Sequence, residues 1–292
     1  MSAVASEILS TTGVSWLAGS TAPAKATDLY DKPSKDYAAK LEQARDVLRQ
    51  AQAHGPVTQA NSLGAEDMVI THLINALALD IPVFVLETGA LHRETLALLE
   101  RTEAHSRAPI EVLRPQHEAV IQFVRREGQD AMYRSIELRK QCCGIRKMEP
   151  LARALAGKKG WITGLRREQS NTRAEVPLVD ESEVATKNLT KYNPLANWTQ
   201  GDVWHYIASN GVDYNPLHDQ FYPSIGCAPC TRAVSLGEDF RAGRWWWESE
   251  DAKECGLHVK SHSGGKPPAA QAAASEASAQ AHASIAGVKV TQ

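Results

Sequence analysis

The sequence predicts an α/β protein in which a parallel sheet is flanked by helices. Between residues 57 and 126, apolar segments of strand length alternate with segments of helical periodicity. Such alternation is typical of βαβ units with right-handed crossovers. Residues 82–86 are all apolar and mostly β-favouring, as expected for a strand buried on both faces. The 292 residues, 43% of them hydrophobic, suffice for one large domain or two small ones.

The predicted elements follow one another with few long interruptions. A helix over 36–54 carries Leu41, Ala44, Val47 and Leu48 at helical spacing and stops at the His-Gly-Pro sequence of 54–56. The later elements are a strand from 57, a helix over 67–79, a strand over 82–86, a helix from about 90, a strand over 110–113, a helix over 116–126, a helical region over 130–155 interrupted at 142–144, a strand end over 161–164, two short strands within 176–195, and a helix to about 210 with Thr199 as its N-cap.

Composition limits the partners and the compartment. The net charge of −2 gives no general attraction to nucleic acid or anionic membranes. The longest apolar stretch, residues 68–86, is interrupted by polar residues and Pro82, so no membrane span is predicted. The N-terminus lacks the pattern of a secretory signal, and we expect a cytoplasmic protein. Residues 1–35 are predicted to be partly disordered and the Ala/Ser-rich residues 261–292 to be a disordered tail.

The five cysteines form two pairs and a single residue. The pairs are Cys142-Cys143 and Cys227-Ala-Pro-Cys230. Four thiolates from two distant segments make a full ligand set for one iron–sulfur cluster or one zinc ion. Adjacent cysteines are unusual for zinc, so the spacing favours the cluster but leaves zinc open, and simple core packing is the weaker alternative.

Cys255 is left over and is a candidate nucleophile. Lys253, His258 and Lys260 lie within five residues of it. Neighbouring cations lower the pKa of a thiol and increase its thiolate fraction, whereas an inert surface thiol is the alternative.

Two loops follow predicted parallel strands, where open α/β sheets bind ligands. The first, residues 61–67, resembles a phosphate-binding turn but lacks the Lys and Ser/Thr of a P-loop. The second is Leu86-Glu87-Thr88-Gly89. The sequence of each loop is explained equally well by an ordinary turn between a strand and a helix. Only the position of the loops at the carboxyl ends of parallel strands suggests a nucleotide site.

Basic residues accompany the cysteines along the chain. They are Arg146, Lys147, Arg166, Arg167, Arg173, Arg241 and Arg244. Charged clusters are usually solvated, but cations flanking a thiolate site suit a polyanionic small substrate. The three consecutive tryptophans at 245–247 are expected to be core packing rather than a platform for stacking bases.

Together these motifs resemble the assimilatory adenylyl-sulfate (adenosine 5′-phosphosulfate) reductases of the [4Fe-4S] type, within the 3′-phosphoadenylyl-sulfate reductase family. The resemblance covers about residues 57–260. It rests on the two cysteine pairs and on the segments Ser-Leu-Gly-Ala-Glu-Asp at 62–67, Leu-Glu-Thr-Gly at 86–89, Gly-Leu-Arg-Arg-Glu-Gln-Ser at 164–170 and Glu-Cys-Gly-Leu-His at 254–258.

The resemblance implies a fold, a reaction and a set of roles. It implies an adenine nucleotide α-hydrolase-like fold, with a nucleotide-binding and cluster-binding domain over 36–240 and a mobile catalytic segment over 241–260. It implies reduction of adenosine 5′-phosphosulfate to sulfite and AMP by thioredoxin, in sulfate assimilation and cysteine biosynthesis. Cys142, Cys143, Cys227 and Cys230 match the ligands of one [4Fe-4S] cluster per subunit, and Cys255 matches the catalytic cysteine. The positions expected to contact the substrate are Ser62, Leu63, Gly64, Asp67, Leu86, Lys147, Gly164, Arg166, Arg173, Arg241, Arg244 and His258.

Other functions stay open at this point. Relatives that use the 3′-phosphorylated substrate usually lack the four paired cysteines, so this chain is expected to prefer the unphosphorylated nucleotide, with a 3′-phosphoadenylyl-sulfate or dual-substrate reductase as the alternative. An ATP pyrophosphatase on the same scaffold is disfavoured by the incomplete phosphate loop and by Cys255. A zinc module that binds nucleic acid through its arginines is the non-enzymatic alternative. The oligomeric state is not defined, and a homo-oligomer is left open.

Overall fold

The computed structural model describes residues 24–107, 109–170, 173–235 and 237–249. In this part of the chain a six-stranded sheet has the order β3-β2-β1-β4-β6-β5. The strands are β1 (Val57–Ala60), β2 (Val83–Leu86), β3 (Ile110–Leu113), β4 (Gly160–Ile162), β5 (Val179–Asp180) and β6 (Thr190–Tyr192). The α-helices are α1 (Ala26–Tyr30), α2 (Tyr37–His54), α3 (Ala65–Ala76), α4 (Arg93–His105), α5 (His117–Glu127), α6 (Ile136–Cys143), α7 (Glu149–Leu155), α8 (Val184–Lys187) and α9 (Gln200–Asn210).

The predicted parallel sheet is confirmed for five of these strands. The short edge strand β5 differs, because it runs antiparallel to β6, with Val179 opposite Tyr192. Antiparallel neighbours need no crossover past the sheet, and the connection over residues 181–189, which contains α8, returns the chain beside β5. The predicted two-sided burial of β2 is also confirmed, since Val83, Phe84 and Val85 are each 1% exposed.

The order of strands creates a topological switch point. From β1 the chain adds β2 and then β3 on one side, and it returns to place β4 on the other side of β1. Ligands of open α/β sheets bind beyond the carboxyl ends of the strands at such a point. The loops after β1, β2 and β4 are therefore neighbours at the edge where the sequence predicted the nucleotide.

A capping box fixes the start of α9. The Asp202 N–H donates to the Thr199 hydroxyl at 3.0 Å, and the Thr199 N–H donates to the Asp202 carboxylate at 2.9 Å. This arrangement satisfies two otherwise unpaired backbone donors and confirms Thr199 as the predicted N-cap. Asp202 also accepts from the N–H and hydroxyl of Ser34, at 2.7 and 2.8 Å, which attaches the N-terminal part of the described chain to α9.

Part of the segment expected to be partly disordered is packed. Residues 24–35 include α1, whose Ala26 is fully buried and donates its N–H to Asp219 at 2.7 Å. Residues 1–23 and the predicted tail, 261–292, lie outside the described residues. No helix in the described part of the chain is long and apolar enough to cross a membrane.

The helical region after Asp130 contains a π-helical turn. The sequence predicted an interruption at residues 142–144, but α6 continues through Cys143, and the change occurs over Gly144–Met148. The wider turn then passes into α7 without a break in the helical backbone. Single π-turns within α-helices often occur at functional sites, and this one follows the first cysteine pair directly.

Candidate active site

The loop after β1 is held in shape by its own side chains. Asn61 is 2% exposed, accepts from the Leu63 N–H at 2.6 Å and donates to the Thr71 hydroxyl at 2.8 Å. Leu63 is fully buried and has φ +62°, a conformation uncommon for a residue with a side chain. Ser62 is exposed and Gly64 is half-buried, so a ligand could reach this part of the loop, whose N–H groups are held by hydrogen bonds within the loop itself.

Asp67 connects this loop to the end of β4. Its carboxylate accepts from the N–H and the hydroxyl of Ser62, at 2.8 and 2.6 Å. Gly164 lies so close to Asp67 that a Cβ at this position would collide with the carboxylate. Burial raises the pKa of Asp67 to about 6, against the opposing effect of its hydrogen bonds from Ser62.

This pKa predicts a pH-dependent stability for the wild-type protein. A carboxyl group whose pKa is raised by folding binds its proton more tightly in the native state, so stability decreases as pH rises toward and past the folded pKa. The difference in unfolding free energy between wild type and Asp67→Asn should decrease by about 1.4 kcal/mol between pH 5 and pH 7.5. Urea denaturation followed by tryptophan fluorescence measures this difference.

Asp46→Asn is the matched control, because the Asp46 side chain is 74% exposed. A constant difference between wild type and Asp67→Asn across this pH range would contradict the raised pKa.

Arg166 and Arg173 are positioned inside the protein. Arg166 is 1% exposed and pairs with Glu66 and Glu168, each at 2.9 Å. Burial acts to raise the pKa of Glu66, but Arg166 and the hydrogen bonds to Glu66 outweigh it and lower that pKa. Arg173 is 7% exposed and donates to Gln169 at 2.6 Å. Arg166 therefore organises the loop after β4. Its contact with the substrate stays a prediction.

The loop after β2 joins the nucleotide edge to the second cysteine pair. The Ala228 N–H donates to the Ala90 carbonyl at 2.7 Å, and Leu91 forms an isolated antiparallel bridge with Cys227. The Thr88 hydroxyl lies 3.3 Å from the Cys227 sulfur. The first pair reaches the same loop through Arg146, which donates to the Thr88 carbonyl at 2.6 Å. Leu86, at the end of β2, is half-buried beside this junction.

The two cysteine pairs are thereby brought together from distant parts of the chain. Cys142, Cys227 and Cys230 are 9%, 8% and 7% exposed, and Cys143 is half-buried. Burial raises the pKa of the Cys230 thiol to about 12, and neighbouring Cys227 adds to that effect. Burial likewise raises the pKa of Cys142, with Cys227 again contributing. These mutual effects show that the three thiols are close neighbours.

The donor set and its surroundings fit an anionic metal–sulfur group. Lys147 acts to lower the thiol pKa values of both Cys142 and Cys230, and Arg146 hydrogen bonds to Cys142. Thiols coordinate metals as thiolates, so buried neutral thiols beside cations suit a group that removes their protons. Among the described residues, however, no three His, Cys, Asp or Glu side chains converge tightly enough to hold a single metal ion.

Arg244 is a buried cation beside the second cysteine pair. It is 7% exposed, and its guanidinium group contacts the Ser224 hydroxyl at 3.4 Å and the Ile225 carbonyl at 3.3 Å. A Cβ at Gly226 would lie 2.5 Å from this group, so the guanidinium rests directly on the glycine. Among the described residues no carboxylate pairs with Arg244, and its Nε has no hydrogen-bond partner. Such a group is costly to bury unless an anion accompanies it.

Of the other residues predicted to contact the substrate, some are described by the structure and some lie outside the described residues. Lys147 is half-buried in the π-helical turn, and Arg241 is half-buried, with its N–H donating to Asp239 at 2.8 Å. Cys255 and His258 lie outside the described residues. Of the segment 241–260, which the resemblance implied to be mobile, residues 241–249 are described and contain the fully packed Trp245, 1% exposed. Trp246 is 39% exposed, so the predicted core packing holds for only part of the tryptophan run.

Sequence reasoning missed the residues that support the cysteines. Arg139 pairs with Glu248 through two hydrogen bonds of 2.9 and 2.6 Å, and both side chains are almost fully buried. Tyr133 donates its hydroxyl to the Pro229 carbonyl at 2.6 Å. No local pattern marks these pairs, because their partners lie about a hundred residues away along the chain.

The sheet order and the loops at its switch point define an α/β protein with a mostly parallel sheet flanked by helices. A crystal structure of phosphoadenylyl-sulfate (PAPS) reductase from Candida auris, a phosphate complex, shares this fold, with a TM-score of 0.55 and 24% identity over 70% of this chain and 98% of that one. Within that class, the chain belongs to the phosphoadenosine phosphosulfate reductase domain family, whose model matches residues 56–233.

Curated relatives are similar over most of their length. A protein of Burkholderia cepacia named adenosine 5′-phosphosulfate reductase is 52% identical over 225 residues, which are 77% of this chain and 89% of the relative. A protein of the same name from Allochromatium vinosum is 48% identical over 247 residues, 85% of this chain and 93% of the relative.

Proposed function

We propose that this protein reduces adenosine 5′-phosphosulfate to sulfite and AMP, with thioredoxin as the reductant. The observation that carries the proposal is Arg244, a buried guanidinium without a carboxylate partner among the described residues, beside the paired cysteines. Relatives about 50% identical over most of the chain bear the name of this activity. Both facts favour a doubly anionic substrate over a neutral one.

The nucleotide is proposed to lie across the switch point of the sheet. Ser62 and Gly64 are accessible at the end of β1, and Gly164, packed against Asp67, brings the end of β4 close to that loop. Leu86 supplies an apolar contact at the end of β2. The phosphosulfate would then point toward Lys147, Arg241 and Arg244, whose charges offset those of its oxygens.

The proposed chemistry transfers the sulfur group to Cys255. The Cys255 thiolate attacks the sulfur of the phosphosulfate, a sulfur–sulfur bond forms, and the bond from sulfur to the bridging oxygen breaks. AMP leaves with that electron pair. Cys255 is left as the S-sulfonate, and the cations that held the phosphosulfate stabilise charge as it moves onto the phosphate. His258 is proposed to contact the same oxygens.

A dithiol completes the reduction. One thioredoxin thiolate attacks the Cys255 sulfur, and sulfite leaves with the electron pair of the sulfur–sulfur bond. The second thioredoxin thiolate then attacks the mixed disulfide, which regenerates the Cys255 thiolate. The two electrons that reduce the substrate come from the dithiol, which becomes a disulfide.

Cys142, Cys143, Cys227 and Cys230 are proposed to hold one [4Fe-4S] cluster. Its contribution when bound would be a localised charge near Lys147 that tunes this lysine, without exchange of electrons. Zinc is the second candidate, but its four ligand atoms must all lie about 2.3 Å from one ion. The cysteines of a cluster bind different iron atoms, and adjacent cysteines such as Cys142 and Cys143 are unusual as zinc ligands, which favours the cluster.

The direct test is sulfite release from two nucleotides, using iron-replete protein and thioredoxin. Adenosine 5′-phosphosulfate is expected to be used with a kcat/KM at least about tenfold above that of its 3′-phosphorylated form, a difference of about 1.4 kcal/mol. The reverse preference would identify a 3′-phosphoadenylyl-sulfate reductase. Release from neither nucleotide would refute the proposal.

A further inference from the structure

The ring of Trp245 has two guanidinium groups close to it. The guanidinium carbons of Arg139 and Arg244 each lie 4.7 Å from the centre of its rings. Trp245 is 1% exposed and has φ +43°, a rare conformation for a bulky residue that persists only when its surroundings enforce it. The backbone N–H of Trp245 donates to the Cys230 carbonyl at 3.2 Å, which places this arrangement against the second cysteine pair.

The two arginines differ in how their charge is balanced. Arg139 is paired with Glu248 through two hydrogen bonds, with 1% and 2% of the two side chains exposed. Arg244 has no carboxylate partner in the described residues. Because each guanidinium carbon lies 4.7 Å from the same ring, the two are at most twice that distance apart, and the carboxylate held by Arg139 is an acidic group in the neighbourhood of Arg244.

We propose that Arg139 is a positioning residue that occupies Glu248 and thereby keeps Arg244 available for an anionic ligand. The bidentate geometry matters, because both carboxylate oxygens are bound and the charge of Glu248 is balanced, which weakens its attraction for a second cation. Without Arg139, an unpaired buried carboxylate would attract Arg244 and draw it away from Gly226. The inference rests on the proposed function, since it assigns Arg244 to the phosphosulfate.

Binding of adenosine 5′-phosphosulfate to three variants tests the proposal. Each variant is made in a Cys255→Ser background, so that no turnover occurs during calorimetry. Arg139→Gln should raise the Kd by roughly tenfold to a hundredfold, the effect of losing one charge-assisted hydrogen bond. Glu248→Gln should not weaken binding, because it removes the competitor. The double variant Arg139→Gln/Glu248→Gln should return the Kd to within about threefold of the parent.

This pattern separates positioning from ordinary structural support. If the pair served only to hold the fold, both single changes would weaken binding and the double change would not restore it. Such a result overturns the proposal. Arg153→Gln at the exposed Arg153–Glu149 pair is the matched control and should leave the Kd unchanged. If Arg139→Gln is not recovered in folded form, Arg139→Lys replaces it, with a smaller rise in Kd that Glu248→Gln again reverses.

A crystal structure of Arg139→Gln gives a result that needs no substrate. The guanidinium of Arg244 should lie on the Glu248 carboxylate, away from Gly226, and its unchanged position would overturn the inference. A parent protein that fails to bind the nucleotide, together with a displaced Arg244 in the variant, would instead refute the proposed function and leave the positioning role standing.

Discussion

Replacement of Cys255 by serine is expected to abolish sulfite release, with a loss of about a thousandfold or more in kcat. The thiolate is the nucleophile in the proposed first step, and a serine hydroxyl has no cationic neighbour strong enough to ionise it at neutral pH. Intact-mass analysis after addition of adenosine 5′-phosphosulfate, with thioredoxin omitted, should show one sulfonate adduct on the wild-type protein and none on Cys255→Ser.

The control for this change is Ser261→Ala, a small substitution six residues further along the chain. It should retain both the adduct and the turnover. A sulfonate adduct on Cys255→Ser would assign the nucleophile to another residue and contradict the proposed chemistry. Binding of the nucleotide to Cys255→Ser should persist, because the residues proposed to hold it are elsewhere in the chain.

The sequence predicted the sheet well because its strands carry strong local signals. The run over β2 is wholly apolar, that over β3 is apolar except for Glu111, and prolines at 82 and 115 lie beside them, so their positions and their parallel arrangement were correct. Strand β5 was predicted only as one of two short strands within residues 176–195. Its antiparallel direction depends on the tertiary edge it joins, which no two-residue pattern encodes.

The sequence predicted which residues form the candidate site, but it did not predict which side chains they contact. Family resemblance located the cysteines and Arg244, and the structure brings both pairs to the loop after β2. Arg166 shows where this reasoning stopped. The structure pairs it with Glu66, a residue a hundred positions earlier, which its charge alone did not predict, and the expected substrate contact stays a prediction. A charge in a sequence does not reveal whether its partner is a ligand or another side chain.

The same limit explains why Arg139 was not predicted. It lies on α6 among ordinary helical residues, and Glu248 follows the tryptophan run. Only the folded chain shows that the two are buried together. Buried ion pairs between distant segments depend on long-range packing, whereas helix caps such as Thr199 and Asp202 lie three residues apart and can be predicted directly.

Replacement of Cys230 by serine should remove the iron and most of the activity. Loss of one thiolate ligand from a four-cysteine cluster weakens the whole group, because the iron atom that this thiolate would hold loses its protein ligand. Under anaerobic purification, the wild-type protein should contain about four iron atoms and four labile sulfides per chain and be brown. Cys230→Ser should lose the colour, most of the iron and at least about tenfold in kcat/KM.

Thr231→Ser is the matched control for this prediction, because it changes the adjacent residue but keeps the hydroxyl that donates to the Cys227 carbonyl at 3.0 Å. It should retain iron, sulfide and colour. A colourless wild-type protein with one zinc ion per chain would show that the four cysteines hold zinc instead. Full sulfite production by protein that lacks both iron and sulfide would show that the proposed reaction does not need the cluster. Retention of iron by Cys230→Ser would show that Cys230 is not a ligand and would contradict the proposed four-cysteine site.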